Sequence, residues 1–292
     1  MRGEMLKGNQ FALLHAVMWS LAPVIGALTI AAMPPIPGLA AITGVMLIFF
    51  LGYAAYTGTL FSFRLSRGLM DAIITALLIA TAFSLFFVGL QYTTAGNAGI
   101  ISQFEFFFSF FVFNLIRRES FTTADLIGGM LMISGGMLIF LPDVLEHATV
   151  NRGDVLILCA TAIAPVLNFF QRRARETMSN EMILLVRSAV GFPFLLTLAY
   201  LFGQSTTFNA LWSVLPILIF GGVVVFGLSK VFWLEAMRRI SMVKANAFNA
   251  TSPVATLLFA FVILGETPTV FQLVSLIPLL AGAYILMFSH KT

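Results

Sequence analysis

The chain has 292 residues, 60% of them hydrophobic and 10% charged, with a net charge of +4 and a mean hydropathy of +1.00. Soluble domains carry about 25% charged and about 45–50% apolar residues. No soluble shape of this size hides so much apolar surface, so the composition excludes a soluble protein and predicts an all-α integral membrane one. The lone cysteine, Cys159, excludes an internal disulfide and is expected to pack as a small hydrophobe.

A spanning helix needs about 20 mainly apolar residues. The N-terminal MRGEMLKGNQ leads into a run too long for a signal-peptide core and is read as a retained first helix. Ten spans follow in chain order, at roughly 9–31, 36–56, 69–90, 94–115, 123–141, 153–170, 181–202, 210–234, 242–264 and 269–289. Breakers part them: PPIP at 34–37, TTAGN at 93–97, RRES at 117–120, Gly203–Thr207 and Gly265–Pro268. Barrel strands are excluded because the apolar runs are continuous and much longer than about ten alternating residues.

Lys and Arg accumulate on the cytoplasmic side of short loops. With the N-terminus inside, twelve of the sixteen fall there: Arg2, Lys7, Arg64, Arg67, Arg117, Arg118, Arg172, Arg173, Arg175, Arg238, Arg239 and Lys291. Arg152 alone falls outside, and Arg187, Lys230 and Lys244 lie within spans. Both termini are therefore expected in the cytoplasm, a parity that ten spans satisfy.

The chain also compares with itself. A shift of 147 residues lays the fourth and fifth spans on the ninth and tenth, Arg118-Glu119 on Gly265-Glu266, and Gly135 on Gly282. Near the start of each half the shift is 145, and Gly8 meets Gly153. Residues 1–147 and 148–292 thus read as two five-helix copies. An odd-numbered unit repeats upside down, the inverted architecture of alternating-access transporters.

These features resemble the drug/metabolite transporter superfamily, in particular its EamA-type ten-helix members, over essentially the whole chain. The resemblance rests on the two halves, on Trp19-Ser20 in the first span, and on SMVKANAFNATSPVATLLFAFVILGET at 241–267, where Pro253 precedes Gly265-Glu266 by about one helix. It implies a bacterial inner-membrane permease for a small organic metabolite, often an exporter of amino acids or related compounds. The first half departs from the pattern, with Phe106 in place of Pro253, Arg118-Glu119 in place of Gly-Glu, and Thr43 opposite Arg187. Glu105 lies where the second half has Ser252 and belongs to no general family motif.

Glu105 sits among six phenylalanines in GIISQFEFFFSFF, residues 99–111, about 11 residues or about 16 Å of helix from either span end. That depth is beyond its reach to water. Facing lipid, an ionised carboxylate costs about 2.5–3.5 kcal/mol or more, so its face is expected to turn to the bundle interior or a wet cavity. Ser102, Glu105 and Ser109 form one helical stripe, with Phe104, Phe107 and Phe111 on other faces. The same shift gives Asn249, Ser252 and Thr256 in the ninth span.

A substrate site framed by Glu105, Ser102, Ser109, Asn249 and Ser252, with His15 and Trp19 nearby, is the expectation. Glu105 is then a candidate ligand for an amine head and for a coupling proton. The competing reading is a buried carboxylate neutralised by a fixed partner such as His15, Arg187 or a protonated hydroxyl network. His15 is equally read as a structural hydrogen bonder and Trp19 as packing. Asn168 is read as helix–helix bonding or substrate contact. Lys230 and Lys244 are read as interfacial anchors; for Arg187, anchoring and a substrate-facing role stand side by side. Tyr92 and Trp212 read as interfacial belt residues. The pairs Gly128-Gly129 and Gly135-Gly136 read either as close-approach points or as ordinary glycines of a membrane helix.

The partners expected are a small-molecule substrate and the lipid bilayer. No enzyme signature, metal-ligand cluster or cofactor motif occurs in the sequence, and the Arg pairs sit in short loops rather than in a nucleic-acid-binding surface. A proton-coupled exporter of lipophilic cations and a non-transporting scaffold or sensor remain as alternatives.

Overall fold

The fold was read from a computed structural model that describes residues 2–59, 67–117, 122–147, 149–240, 245 and 248–288. Lys244, Arg64 and the Arg118-Glu119 pair lie outside the described residues. Every element described is helical, as a lipid setting requires, because a helix satisfies its backbone groups within one segment.

In chain order the helices are α1 (Arg2–Trp19), α2 (Ala22–Ile30), α3 (Pro35–Tyr56), α4 (Gly68–Gly89), α5 (Ala95–Ile101), α6 (Phe104–Arg117) and α7 (Thr123–His147). There follow α8 (Arg152–Ala174), α9 (Asn180–Leu201), α10 (Phe208–Ser213) and α11 (Leu215–Phe220). A π-helical stretch, Gly221–Leu228, leads into α12 (Ser229–Arg239). The last are α13 (Ser252–Phe259), continued as a π-turn over Ala260–Leu264, and α14 (Val270–Phe288). Among the described residues, seven segments are long and apolar enough to cross a membrane, and Ser252–Leu264 and Val270–Leu286 are shorter apolar helices. This is a multi-pass membrane protein. Its exposed apolar side chains, such as Ile48, Met70, Met130, Met137, Val262 and Ile277, are the surface that lipid covers.

Two expected spans are broken. The run at 94–115 is split at Ser102-Gln103 into α5 and α6, and a turn at Ala250-Thr251 precedes α13. The first span also steps at Ser20-Leu21 between α1 and α2.

Packing pairs the helices across the chain: α7 on α14, α4 on α8, α3 on α9, α1 on α12, and α5 on α13. Gly135 and Gly282 set the α7–α14 contact. A Cβ at Gly135 would stand 2.9 Å from the Ser275 carbonyl oxygen and the Leu279 nitrogen, and one at Gly282 would stand 2.5 Å from the Gly128 oxygen. Gly136 receives the Phe104 ring, and Gly129 faces Phe111 and Phe107. The glycine pairs of α7 are therefore close-approach points, one face for α14 and one for the aromatic face of α6.

Cys159 corrects its expectation. It is exposed, because α8 turns Gly153, Ile157, Ala160 and Ala164 inward and leaves residue 159 on the opposite side.

Ion pairs gather at one end of the bundle, with Arg173 to Asp71 at 3.4 Å, Arg238 to Glu181 at 3.4 Å and Arg239 to Glu4 at 3.1 Å. Toward the other end the Arg152 guanidinium lies 3.7 Å from the Tyr92 ring centroid.

Candidate functional site

A cavity of about 50 Å³ lies among α1, α3, α4, α9 and the α12 region. At about 10–15 Å³ per water it holds only a few waters. Its lining is mostly apolar, with Trp19, Ile42, Phe83 and Phe226 prominent, and it includes Arg187 and Lys230.

The aromatic wall is ordered edge to face. Trp19 meets Phe226 at 5.8 Å and 83°, Trp19 meets Phe83 at 6.2 Å and 89°, and Phe83 meets Phe226 at 5.6 Å and 83°. Such pairings place ring edges on ring faces, the favoured arrangement of aromatic quadrupoles. Against this wall the Lys230 Nζ stands 3.2 Å from the Trp19 ring centroid.

One helix positions both partners. His15 and Trp19 are four apart and share a face of α1. The His15 Nδ1 lies 2.9 Å from the Ser229 carbonyl oxygen, so it is this nitrogen that carries the proton and donates. That bond ties α1 to the residue before Lys230, while Trp19 receives the ammonium. His15 is 3% exposed and also packs on Trp233 at 4.8 Å.

Arg187 reaches the same cavity from α9. Its Nε is buried, with no hydrogen-bond partner among the described residues. Arg187 and Lys230 are near enough to repel one another, and Lys230 near enough to attract Glu105.

Glu105 stands beside this cavity rather than in its lining. Its side chain is exposed. Asn168 of α8 donates from Nδ2 to Glu105 Oε1 at 3.2 Å. The partner of Glu105 is thus Asn168, not His15 or Arg187, and Asn168 makes a helix–helix bond.

The family model described as "EamA-like transporter family" matches residues 6–141 and 151–288. The chain belongs to the EamA-like transporter family. An uncharacterized transporter of Methanothermobacter thermautotrophicus is 30% identical over 237 residues, which are 78% of this chain and 67% of that one. An uncharacterized transporter of Synechocystis is 24% identical over 224 residues, 73% of this chain and 63% of its own length. A crystal structure at 15% sequence identity superposes with a TM-score of 0.70, covering 97% of this chain and 98% of that one, and so shares its fold. Family and relatives together mark the chain as a membrane transporter.

Within this EamA-like transporter the residues expected to frame one site are spread over several places. Trp19 lines the cavity. Ser102, at the α5–α6 break, donates to the Ala98 carbonyl at 2.7 Å. Ser252 bonds back to Asn249, through both its carbonyl and its side-chain oxygen. Thr256 donates to the Ser20 carbonyl at 2.9 Å and packs against Gly99. The second polar stripe is therefore largely taken up by helix and interhelix bonds. Ser109 keeps a buried hydroxyl with no hydrogen-bond partner among the described residues.

Lys230 corrects its reading as an anchor. Its ammonium turns inward, onto the Trp19 ring in the lining of the cavity, rather than out toward an interface.

The Gly-Glu pair also has a structural account. Gly265 takes φ +72°, a conformation that favours glycine. It turns Glu266 onto the N-terminus of α5, where Ala95 and Gly96 donate to its two carboxylate oxygens at 3.0 and 3.1 Å. Nearby, Asn97 bonds Asp154 at 3.2 Å and Gln272 at 2.7 Å, and Thr93 bonds Asp154.

Proposed function

We propose that this chain is an alternating-access permease of ten spans, in two inverted five-helix copies at 1–147 and 148–292, with the cavity at Trp19, Arg187 and Lys230 as its solute site. The cargo is a small organic metabolite, such as an amino acid or related compound, and the direction is export across a bacterial inner membrane.

The observation that carries this reading is the way the packing survives exchange of the two halves. Exchange turns the α1–α12 contact into α8–α4, and it returns α3–α9 and α7–α14 to themselves. At the residue level, Gly135 against Ser275 becomes Gly282 against Gly128. The helix breaks at 102–103 and 250–251 also correspond under the sequence shift. Broken helices beside a central cavity are a recurrent transporter device, because unpaired backbone is tolerated only where protein or water meets it.

The cavity has room for waters but not for a metabolite. Loading therefore needs the halves to part on one side at a time. In this reading Trp19, Arg187 and Lys230 meet the solute, and Glu105 with Asn168 is the acidic site and the candidate for proton coupling. Ser102, Ser109, Asn249 and Ser252 flank the broken helices, and His15 positions Lys230. Both termini lie in the cytoplasm, supported by the basic end formed by Arg173, Arg238 and Arg239.

The second reading, a proton-coupled exporter of lipophilic cations, draws on Glu105. Two cationic side chains in the cavity oppose it. Solute flux into liposomes containing the purified protein tests the main reading, with a panel of amino acids, organic acids, amines and quaternary ammonium compounds. Protein-dependent flux or counterflow of a metabolite class supports it. A folded protein that moves no member of any class contradicts it.

A further inference from the structure

We propose that the group recognised in this cavity is a carboxylate, held by Arg187 and Lys230, on a solute with an apolar or aromatic body. The inference rests on the permease reading and names the chemistry of its substrate.

The charge balance argues for it. Arg187 and Lys230 both line the cavity, and among the described residues no acid lines it with them. Among the described residues neither is bonded to a carboxylate within ion-pair distance, and Glu105 attracts Lys230 only from beyond that range. Two cations facing one offset anion leave an uncompensated positive charge, which a monocarboxylate neutralises. Lone cations inside a membrane protein pair with something, and here the partner is open to be supplied by solute.

The donors also suit a carboxylate. Arg187 holds a planar fork of N–H groups, with Nε buried and unpartnered. Lys230 is fixed from two sides: its ammonium sits on the Trp19 face, and the preceding carbonyl is held by His15. A lysine so restrained is already ordered before an anion arrives. Beside these donors stand the faces of Phe83 and Phe226, a wall for an apolar body and not for a second polar head.

Three probes with one ring and different heads test this: phenylacetate, phenylacetamide and phenethylamine, added to the purified full chain while its thermal unfolding is followed. A ligand of the native state raises its apparent stability. Phenylacetate is expected to raise the midpoint in a dose-dependent way, and the amide and amine to leave it in place. Arg187→Gln and Lys230→Gln are each expected to weaken phenylacetate binding about tenfold or more, with Arg187→Lys retaining part of it. Equal stabilisation by the amide or amine overturns the proposal. So does the absence of any phenylacetate shift, or unchanged binding in both variants. If a variant fails to fold, the wild-type comparison among the three heads still decides. Flux of another solute class, without carboxylate binding, sinks this inference and leaves the permease reading standing.

Discussion

The Lys230 ammonium rests 3.2 Å from the centroid of the Trp19 ring. This contact joins α1 to α12, and it shows how a lysine inside an apolar bundle is accommodated. The ring face supplies attraction of about 2 kcal/mol when the pair is desolvated. Trp19→Leu removes that face and is expected to lower solute flux and thermal stability together, while Trp19→Phe retains most of both. Equal loss in the two variants would mean that bulk, not the π-face, matters.

His15 holds the same region through the Ser229 carbonyl. His15→Ala leaves a buried acceptor without its donor and is expected to cost about 1–3 kcal/mol of stability. An unchanged unfolding midpoint would show that the bond contributes nothing net.

Glu105 bonds Asn168 and lies within reach of the Lys230 charge. Glu105→Gln keeps an oxygen to accept from Asn168 but removes the ionisable group. If Glu105 carries the coupling proton, flux in this variant loses its dependence on a pH gradient while binding of solute persists. A variant with wild-type rate and wild-type pH profile would return Glu105 to a structural role.

Glu266 caps α5 with both carboxylate oxygens. Hydrogen bonds to a charged group are worth about 1.5–3 kcal/mol, and an anion suits a helix N-terminus. Glu266→Ala should lower thermal stability by an amount of about that size, with Glu266→Gln intermediate. A midpoint unmoved in Glu266→Ala would show that water replaces the cap freely.

The α7–α14 contact leaves no room for a methyl at Gly282, where a Cβ would stand 2.5 Å from the Gly128 oxygen and 2.8 Å from the Met132 nitrogen. Gly282→Ala is expected to destabilise by about 1–3 kcal/mol through overpacking. Gly52→Ala, at an open position on α3, is the control and should be neutral. Equal behaviour of the two would contradict the close packing.

Much of the fold was legible because lipid permits few solutions. Continuous apolar runs of about 20 residues read as helices, and α3, α4, α8 and α9 start and stop within a few residues of expectation. The break at Ser102-Gln103 was not legible, since neither Gly nor Pro marks it. The π-helical stretch at 221–228 is an ordinary apolar run in sequence.

At the site, Trp19 was legible as one of few aromatics paired with a polar neighbour one turn away. Lys230 was read as an anchor because the direction of its side chain depends on packing across helices. Its match with Trp19 joins residues more than two hundred apart, which no local pattern encodes. The Ser252 hydroxyl bonds back to its own helix, so polarity at helical spacing does not by itself mark a cavity.

Alternating access through the Trp19–Arg187–Lys230 cavity is the central claim, and side-specific thiol labelling tests it most directly. Thr43 lines that cavity, and Cys159 is exposed and must be removed. The variant Thr43→Cys in a Cys159→Ser background would be treated with a membrane-impermeant maleimide from each face of oriented vesicles. The account predicts labelling from both faces, with a transported solute slowing it. Labelling from one face only, unaffected by any solute, would contradict it.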